Sequence, residues 1–174
     1  MPDESREAVF TSWLGQHGAT VLKVARAYTR TAEDCQDLVQ EILLQVWRSA
    51  PQFQGRARVS TWAYRVALNT ALSWRRKERR RQACQRPLLE VEDLSAAGPD
   101  SPQRLSQREE VERLYAAIRQ LPEADVALVL LYLDDLSYRQ MAEVLGISES
   151  NVGVKLNRAK KALAELMQEE PHGP

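Results

Sequence analysis

The chain is expected to be all-α: two small helical domains joined by a flexible linker, the second carrying a helix-turn-helix. Three observations predict this. Almost every apolar stretch in the 174 residues recurs at helical rather than alternating spacing. Several of the seven glycines and eight prolines fall between those stretches. Between residues 83 and 104 the composition changes, with Pro87, Gly98, Pro99 and Pro102 set among acidic and small residues.

The elements follow in order. A first helix is expected over about residues 7–28, with a break open near Gly15 and Gly18. A second runs from Thr31 to about Ser49. Thr31 suits an N-cap, and Glu33, Asp34 and Asp37 place negative charge where the helix dipole favours it. Pro51 stops this helix, and residues 51–59 read as a loop. A third helix spans residues 60–81. After the linker, helices are expected at residues 105–120 and from Leu121-Pro122 through the apolar stretch ending at Leu133.

The formal net charge is +0, so the total predicts no partner. The distribution is more informative. Arg75, Arg76, Lys77, Arg79, Arg80 and Arg81 form one basic run, and Lys155, Arg158, Lys160 and Lys161 another. Local patches within a neutral total suit contact with a polyanion at chosen places. The two cysteines, Cys35 and Cys84, are too few and too far apart in sequence for a disulfide framework or a zinc site. No metal site or cofactor is expected. Residues 1–10 are polar and acidic rather than a secretory signal, and no apolar run is long enough to span a membrane. A cytoplasmic location is expected.

The sharpest local pattern lies near the end of the chain. Ser137 followed by Gln140 is a capping box. The helix it opens holds Met141, Ala142, Val144 and Leu145 and stops at Gly146, where glycine supplies the left-handed turn. Ser148 caps a second helix. On that helix Val152, Leu156, Ala159, Leu163 and Leu166 share one face. Ser150, Val154, Asn157 and Lys161 occupy the opposite face, with Arg158 beside them. This division suits a helix in the major groove, where Asn pairs with adenine, Arg or Lys with guanine or phosphate, and Val154 touches a thymine methyl. An ordinary solvated face is the plain alternative.

The third helix is unusual in another way. Ala63, Tyr64, Val66, Ala67, Leu68, Ala71 and Trp74 wrap most of its circumference, leaving one polar stripe of Arg65, Asn69, Ser73, Arg76 and Arg80. Periodicity leaves two readings of Trp62 open: a core residue, or an exposed ring that stacks on an unpaired base. The basic run suits phosphate contact.

Taken together, these residues resemble the sigma-70 family of RNA polymerase sigma factors, in its extracytoplasmic-function (ECF) group. Residues 32–48 (AEDCQDLVQEILLQVWR) look like the family's polymerase-clamp helix. The resemblance implies that Asp37, Gln40, Glu41 and Gln45 face the β′ coiled coil of core RNA polymerase. Residues 53–76 (FQGRARVSTWAYRVALNTALSWRR) look like the promoter-melting and −10-reading segment. This implies a −10 site at Phe53, Arg56, Arg58, Trp62, Arg65, Asn69, Arg76 and Arg80. Residues 121–166 look like the segment that reads the −35 element and touches the β-flap. The −35 contacts are then Ser150, Asn151, Gly153, Val154, Asn157, Arg158 and Lys161. Gly153 and Val154 depart from the polar residues many family members carry there, so base reading at those two positions uses no side-chain hydrogen bond.

The resemblance implies residues 1–82 for the polymerase-binding and −10 domain, 83–104 for the linker and 105–170 for the −35 domain. Fully extended, the linker reaches about 70 Å. It also implies promoter DNA, core polymerase and an anti-sigma protein as partners. Two other classes stand beside it. A conventional helix-turn-helix regulator would bind duplex DNA without polymerase, but its sensory domain needs neither the Arg/Asn stripe nor Trp62. An enzyme would need a site, and the sequence holds no phosphate loop, metal cluster or nucleophile motif.

Overall fold

The computed structural model describes residues 3–84 and 101–169. The described residues form seven α-helices: α1 (Asp3–Tyr28), α2 (Ala32–Ser49), α3 (Val59–Cys84), α4 (Pro102–Gln120), α5 (Glu123–Leu133), α6 (Tyr138–Leu145) and α7 (Glu149–Glu169). A 3-10 turn over Ala50–Gln52 follows α2, and the described residues contain no strand. The chain divides into two compact units. One holds α1, α2 and α3; the other holds α4, α5, most of α6 and α7.

In the first unit each helix packs on the other two. α1 buries Trp13, Val21, Val24, Ala25 and Tyr28; α2 buries Leu38, Ile42 and Val46. α3 contributes Ala63, Ala67 and Ala71 at four-residue spacing, with Tyr64 and Leu68 beside them. Methyl groups in that row let the α3 backbone approach its neighbours closely, as ridge-and-groove packing requires. Each large aliphatic side chain buried here stabilises the unit by about 1.5–3 kcal/mol. An aromatic cluster ties α1 to α2. Phe10 meets Trp13 at 6.3 Å and Trp47 edge-on at 5.2 Å, and Trp13 meets His17 at 5.8 Å between ring centroids.

α1 runs through Gly15 and Gly18 without the break that the sequence left open. Glycine costs about 1 kcal/mol per helical position relative to alanine. The burial of Trp13 before these glycines and of Val21 and Val24 after them outweighs that cost. Thr31 caps α2 as expected, its hydroxyl accepting from the Asp34 N–H at 3.1 Å.

α3 is longer than expected at both ends, beginning at Val59 and running through Cys84. Ala83 and Cys84 therefore close a helix, and Pro102 to Arg104 open the next one. Ser101 is the N-cap of α4, with Pro102 in the first turn, where a missing N–H costs nothing. The rest of the expected linker, residues 85–100, lies outside the described residues. Neither cysteine forms a disulfide among the described residues; Cys35 is half-buried and Cys84 exposed.

In the second unit α5 is buried along Val126 to Leu131 and serves as its central helix. It packs on α4 and α7. It starts at Glu123, one residue after the expected first turn, because Pro122 is held extended at φ −54° and ψ 146°. The Pro122 carbonyl accepts from the N–H groups of Asp125 and Val126 at 2.9 and 3.0 Å. Proline thus sits at the cap rather than inside the helix.

Candidate nucleic-acid interface

Local hydrogen bonds fix both ends of α6 and the start of α7. The Ser137 hydroxyl accepts from the Gln140 N–H at 3.2 Å, and the Gln140 side-chain oxygen accepts from the Ser137 N–H at 2.8 Å. Two helix-end donors are satisfied reciprocally. At the other end Gly146 has φ +68°, and its N–H donates to the Ala142 carbonyl at 2.9 Å. The left-handed conformation is open to glycine and costly for other residues. Ser148 then caps α7 by accepting from the Asn151 N–H at 3.2 Å.

The two faces of α7 separate as its sequence spacing requires. Val152, Leu156 and Ala159 are fully buried, and Leu163 and Leu166 are half-buried. Ser150, Asn151, Val154, Asn157, Arg158 and Lys161 are exposed, while Gly153 is half-buried. Val154 is 61% exposed, the most exposed of the large apolar residues described. An apolar side chain left in water on a polar face is suited to an apolar partner such as a thymine methyl. Lys160, part of the expected basic cluster, is turned aside. Its ammonium lies 4.3 Å from the Tyr132 ring centroid and donates to the Tyr132 hydroxyl at 3.3 Å.

In the first unit the expected −10 residues fall in three places. Phe53 and Trp62 are both half-buried, with ring centroids 5.1 Å apart and planes inclined at 41°. Trp62 is therefore neither core nor bare platform: one neighbour is an aromatic ring from the loop. Arg56 and Arg58 are exposed on that loop, which turns at Gly55, φ +68°. The Arg58 carbonyl accepts the Trp62 N–H at 3.0 Å and so fixes the start of α3. Arg65, Asn69, Arg76 and Arg80 are exposed along α3.

The expected polymerase-facing residues lie on α2. Asp37 and Gln40 are exposed, and Glu41 and Gln45 are half-buried and joined by a 2.9 Å hydrogen bond donated by the Gln45 amide. Glu41 and Gln45 form one wall of a groove whose other wall is α3, with Asn69, Thr70, Ser73, Trp74, Lys77, Glu78 and Arg81. Asn69 thus shares a groove with two residues assigned to a different partner. Sequence reasoning missed Trp74, Lys77 and Arg81 as groove residues. The signal for Lys77 and Arg81 was the four-residue repeat of Asn69, Ser73, Lys77 and Arg81 on α3, and Trp74 lies one residue off it. Within the basic run, Arg81 stands 3.7 Å from the Glu78 carboxylate. An exposed pair of this kind contributes about 0–1 kcal/mol and leaves the run strongly basic.

Two family models match this chain: Sigma-70 region 2 over residues 4–81 and Sigma-70, region 4 over residues 111–163. The ECF RNA polymerase sigma factor SigM of Mycobacterium tuberculosis is 30% identical over 159 residues, covering 91% of this chain and 76% of the relative. The ECF RNA polymerase sigma-E factor of Escherichia coli is 30% identical over 155 residues, covering 84% and 81%. The chain belongs to the sigma-70 family of RNA polymerase sigma factors, in its ECF group. As an ECF sigma factor it is a transcription initiation factor that directs core RNA polymerase to promoters, and not an enzyme. The fold agrees with two solved structures. CnrH in complex with the cytosolic domain of CnrY superposes with a TM-score of 0.68 at 19% identity, covering 95% of this chain and 91% of that one. The sigma factor RpoE in complex with the anti-sigma factor NepR from Bartonella quintana gives 0.68 at 17% identity, covering 93% and 98%. No helix among the described residues is long and apolar enough to cross a membrane.

Proposed function

We propose a division of labour within this ECF sigma factor. Residues 1–82 form the domain that binds core polymerase and captures the −10 element, residues 105–170 form the domain that reads the −35 element, and residues 83–104 join them. The α2 face at Asp37, Gln40, Glu41 and Gln45 meets the β′ coiled coil, and the second domain touches the β-flap. On α7, Ser150, Asn151, Gly153, Val154, Asn157, Arg158 and Lys161 meet the −35 major groove. At the other site Phe53, Arg56, Arg58, Trp62, Arg65 and Asn69 hold unstacked −10 bases, and Arg76 and Arg80 hold phosphate.

The observation that carries this reading is the two-sided α7 behind a fully capped turn, in a chain whose other unit presents an arginine stripe beside Trp62. The energies are consistent with it. Extracting a base costs a few kcal/mol. Stacking on an aromatic ring returns about 1–3 kcal/mol per base, and the arginines add phosphate contacts. Binding at the two elements together is what shifts the duplex toward the open state.

The factor acts in the cytoplasm, where its polymerase is. Both solved neighbours are complexes, one with the anti-sigma factor NepR and one with the cytosolic domain of CnrY. By analogy, an inhibitory protein of this kind holds the present factor until a signal releases it. The test is transcription with purified core polymerase on promoters mapped after overexpression of the factor. Shared −35 and −10 elements and transcripts that require both core and factor are expected. Tight duplex binding by the factor with no transcription from core would overturn the reading.

A further inference from the structure

The basic run of α3 is not uniform. Arg76, Lys77, Arg79, Arg80 and Arg81 are exposed, whereas Arg75 is half-buried. Ala63, Ala67 and Ala71 form the buried row of α3, and Arg75 is the next residue at the same four-residue spacing. Its guanidinium carbon lies over the ring of Tyr28, 5.9 Å from the centroid, within the range of a cation–π contact. Tyr28 is the last residue of α1 and is buried. An arginine suits this place: its methylene stem covers apolar surface and its planar head stacks on an aromatic ring. The negative end of the α1 dipole favours a cation there as well.

The contact stands where the core of the first unit ends. Ala71 is the last buried residue of α3, and none of residues 72–84 is buried. These turns carry the basic run, in which Arg76 and Arg80, and Lys77 and Arg81, stand four residues apart. Like charges at that spacing oppose the helix, and a helix end with little packing opens readily. An anchor on the inward side counteracts both effects. It also fixes direction. At about 100° per residue, Arg76 and Arg80 project about 100° and about 140° round the helix from Arg75. Holding Arg75 against the end of α1 therefore sets where those two side chains point.

We propose that Arg75 is a positioning residue for the −10 site: laid over Tyr28, it fastens the distal half of α3 to the end of α1 and aims Arg76 and Arg80 at the promoter strand. One member of the basic run is thus turned inward so that its neighbours meet DNA in a fixed direction. The proposal rests on the assignment of Arg76 and Arg80 to phosphate.

The experiment uses holoenzyme reconstituted with purified core polymerase, bound across a salt series to promoter DNA mapped after overexpression of the factor. Arg75→Ala removes the anchor and is expected to weaken promoter binding about tenfold while affinity for core polymerase stays at the wild-type value. Arg75→Met removes the charge but keeps a long side chain that packs on an aromatic ring. It should restore binding to within about threefold of the wild type, with the salt slope unchanged. Arg76→Ala should instead lower the slope by about one. The loss caused by Arg76→Ala with Arg80→Ala should be smaller in the Arg75→Ala background, because Arg75 acts through those two residues. Three outcomes would each overturn the proposal while leaving the phosphate assignment intact: wild-type promoter affinity in Arg75→Ala, a slope lowered by about one in Arg75→Met, or fully additive losses when Arg75→Ala is combined with the Arg76 and Arg80 changes. Wild-type affinity and slope in the Arg76→Ala, Arg80→Ala double variant would overturn both.

Discussion

Phe53 reaches from the loop to the start of α3 and lays its ring against Trp62, 5.1 Å away at an inclination of 41°. An aromatic pair contributes about 0.5–1.5 kcal/mol beyond its buried area. A base stacked on an aromatic ring contributes about 1–3 kcal/mol. A flipped base that displaces Phe53 from Trp62 therefore recovers stacking energy of the same order or larger. Trp62→Ala is expected to reduce promoter opening about tenfold, read as permanganate reactivity of unpaired thymines, while binding to isolated −35 duplex stays unchanged. Undiminished reactivity would remove Trp62 from the −10 site.

On α2 Asp37 is exposed and Glu41, half-buried, accepts from the Gln45 amide at the groove wall, so the two place negative charge on one face. The double substitution Asp37→Lys and Glu41→Lys should weaken core polymerase binding by tenfold or more, through like-charge repulsion or lost hydrogen bonds. Helical content by circular dichroism should not change. Unaltered affinity in a fluorescence titration with core would move the polymerase contact elsewhere.

The helix-turn-helix depends on its caps. Ser137→Ala removes the side-chain half of the capping box and should destabilise the second unit by about 1 kcal/mol. Gly146→Ala forces a left-handed conformation, φ +68°, on a residue with a Cβ and should cost about 1–2 kcal/mol. Thermal unfolding should show both losses, with a larger shift for Gly146→Ala.

Gly153→Ala should act in the opposite direction. The new methyl meets Tyr138 at 3.5 Å, an ordinary contact distance, and the helix gains about 1 kcal/mol of propensity. A raised melting temperature with DNA affinity kept within about twofold is expected. A loss of stability would mean that the ring is packed more tightly on the helix than a methyl allows.

Burial against Trp13 pushes the His17 imidazole below its ordinary value. The folded state favours the neutral ring, so below about pH 6.5 the unfolded chain binds more protons than the folded one. The contribution of His17 is fully present above that pH and is lost as pH falls through the folded value. Urea unfolding at about pH 7.5 and about pH 5.5 should show the wild type losing more stability on acidification than His17→Gln. Equal losses in the two proteins would show that the ring titrates normally.

These cases also show which features sequence alone carries. Ser137 with Gln140, Gly146 and Ser148 act over three or four residues, and their caps formed as spacing implied. The buried seam of α7 is likewise a local period. What sequence did not carry are relationships set by packing. The continuity of α1 through Gly15 and Gly18 depends on burial of residues to either side. The placement of Trp62 depends on Phe53, and the surroundings of Gly153 on Tyr138, fifteen positions earlier. The shared groove of Asn69, Glu41 and Gln45 needs two helices to be laid side by side before it exists.

Cys84 closes α3 just beyond the arginine run and is exposed, whereas Cys35 is half-buried. The protein therefore carries its own attachment point for a thiol-directed dye. A fluorophore placed there stands within a few turns of Arg76 and Arg80, so its emission can report when that end of the helix meets DNA. Cys35→Ser would make the labelling single-sited, and the arrival of the factor at a promoter could then be followed one molecule at a time.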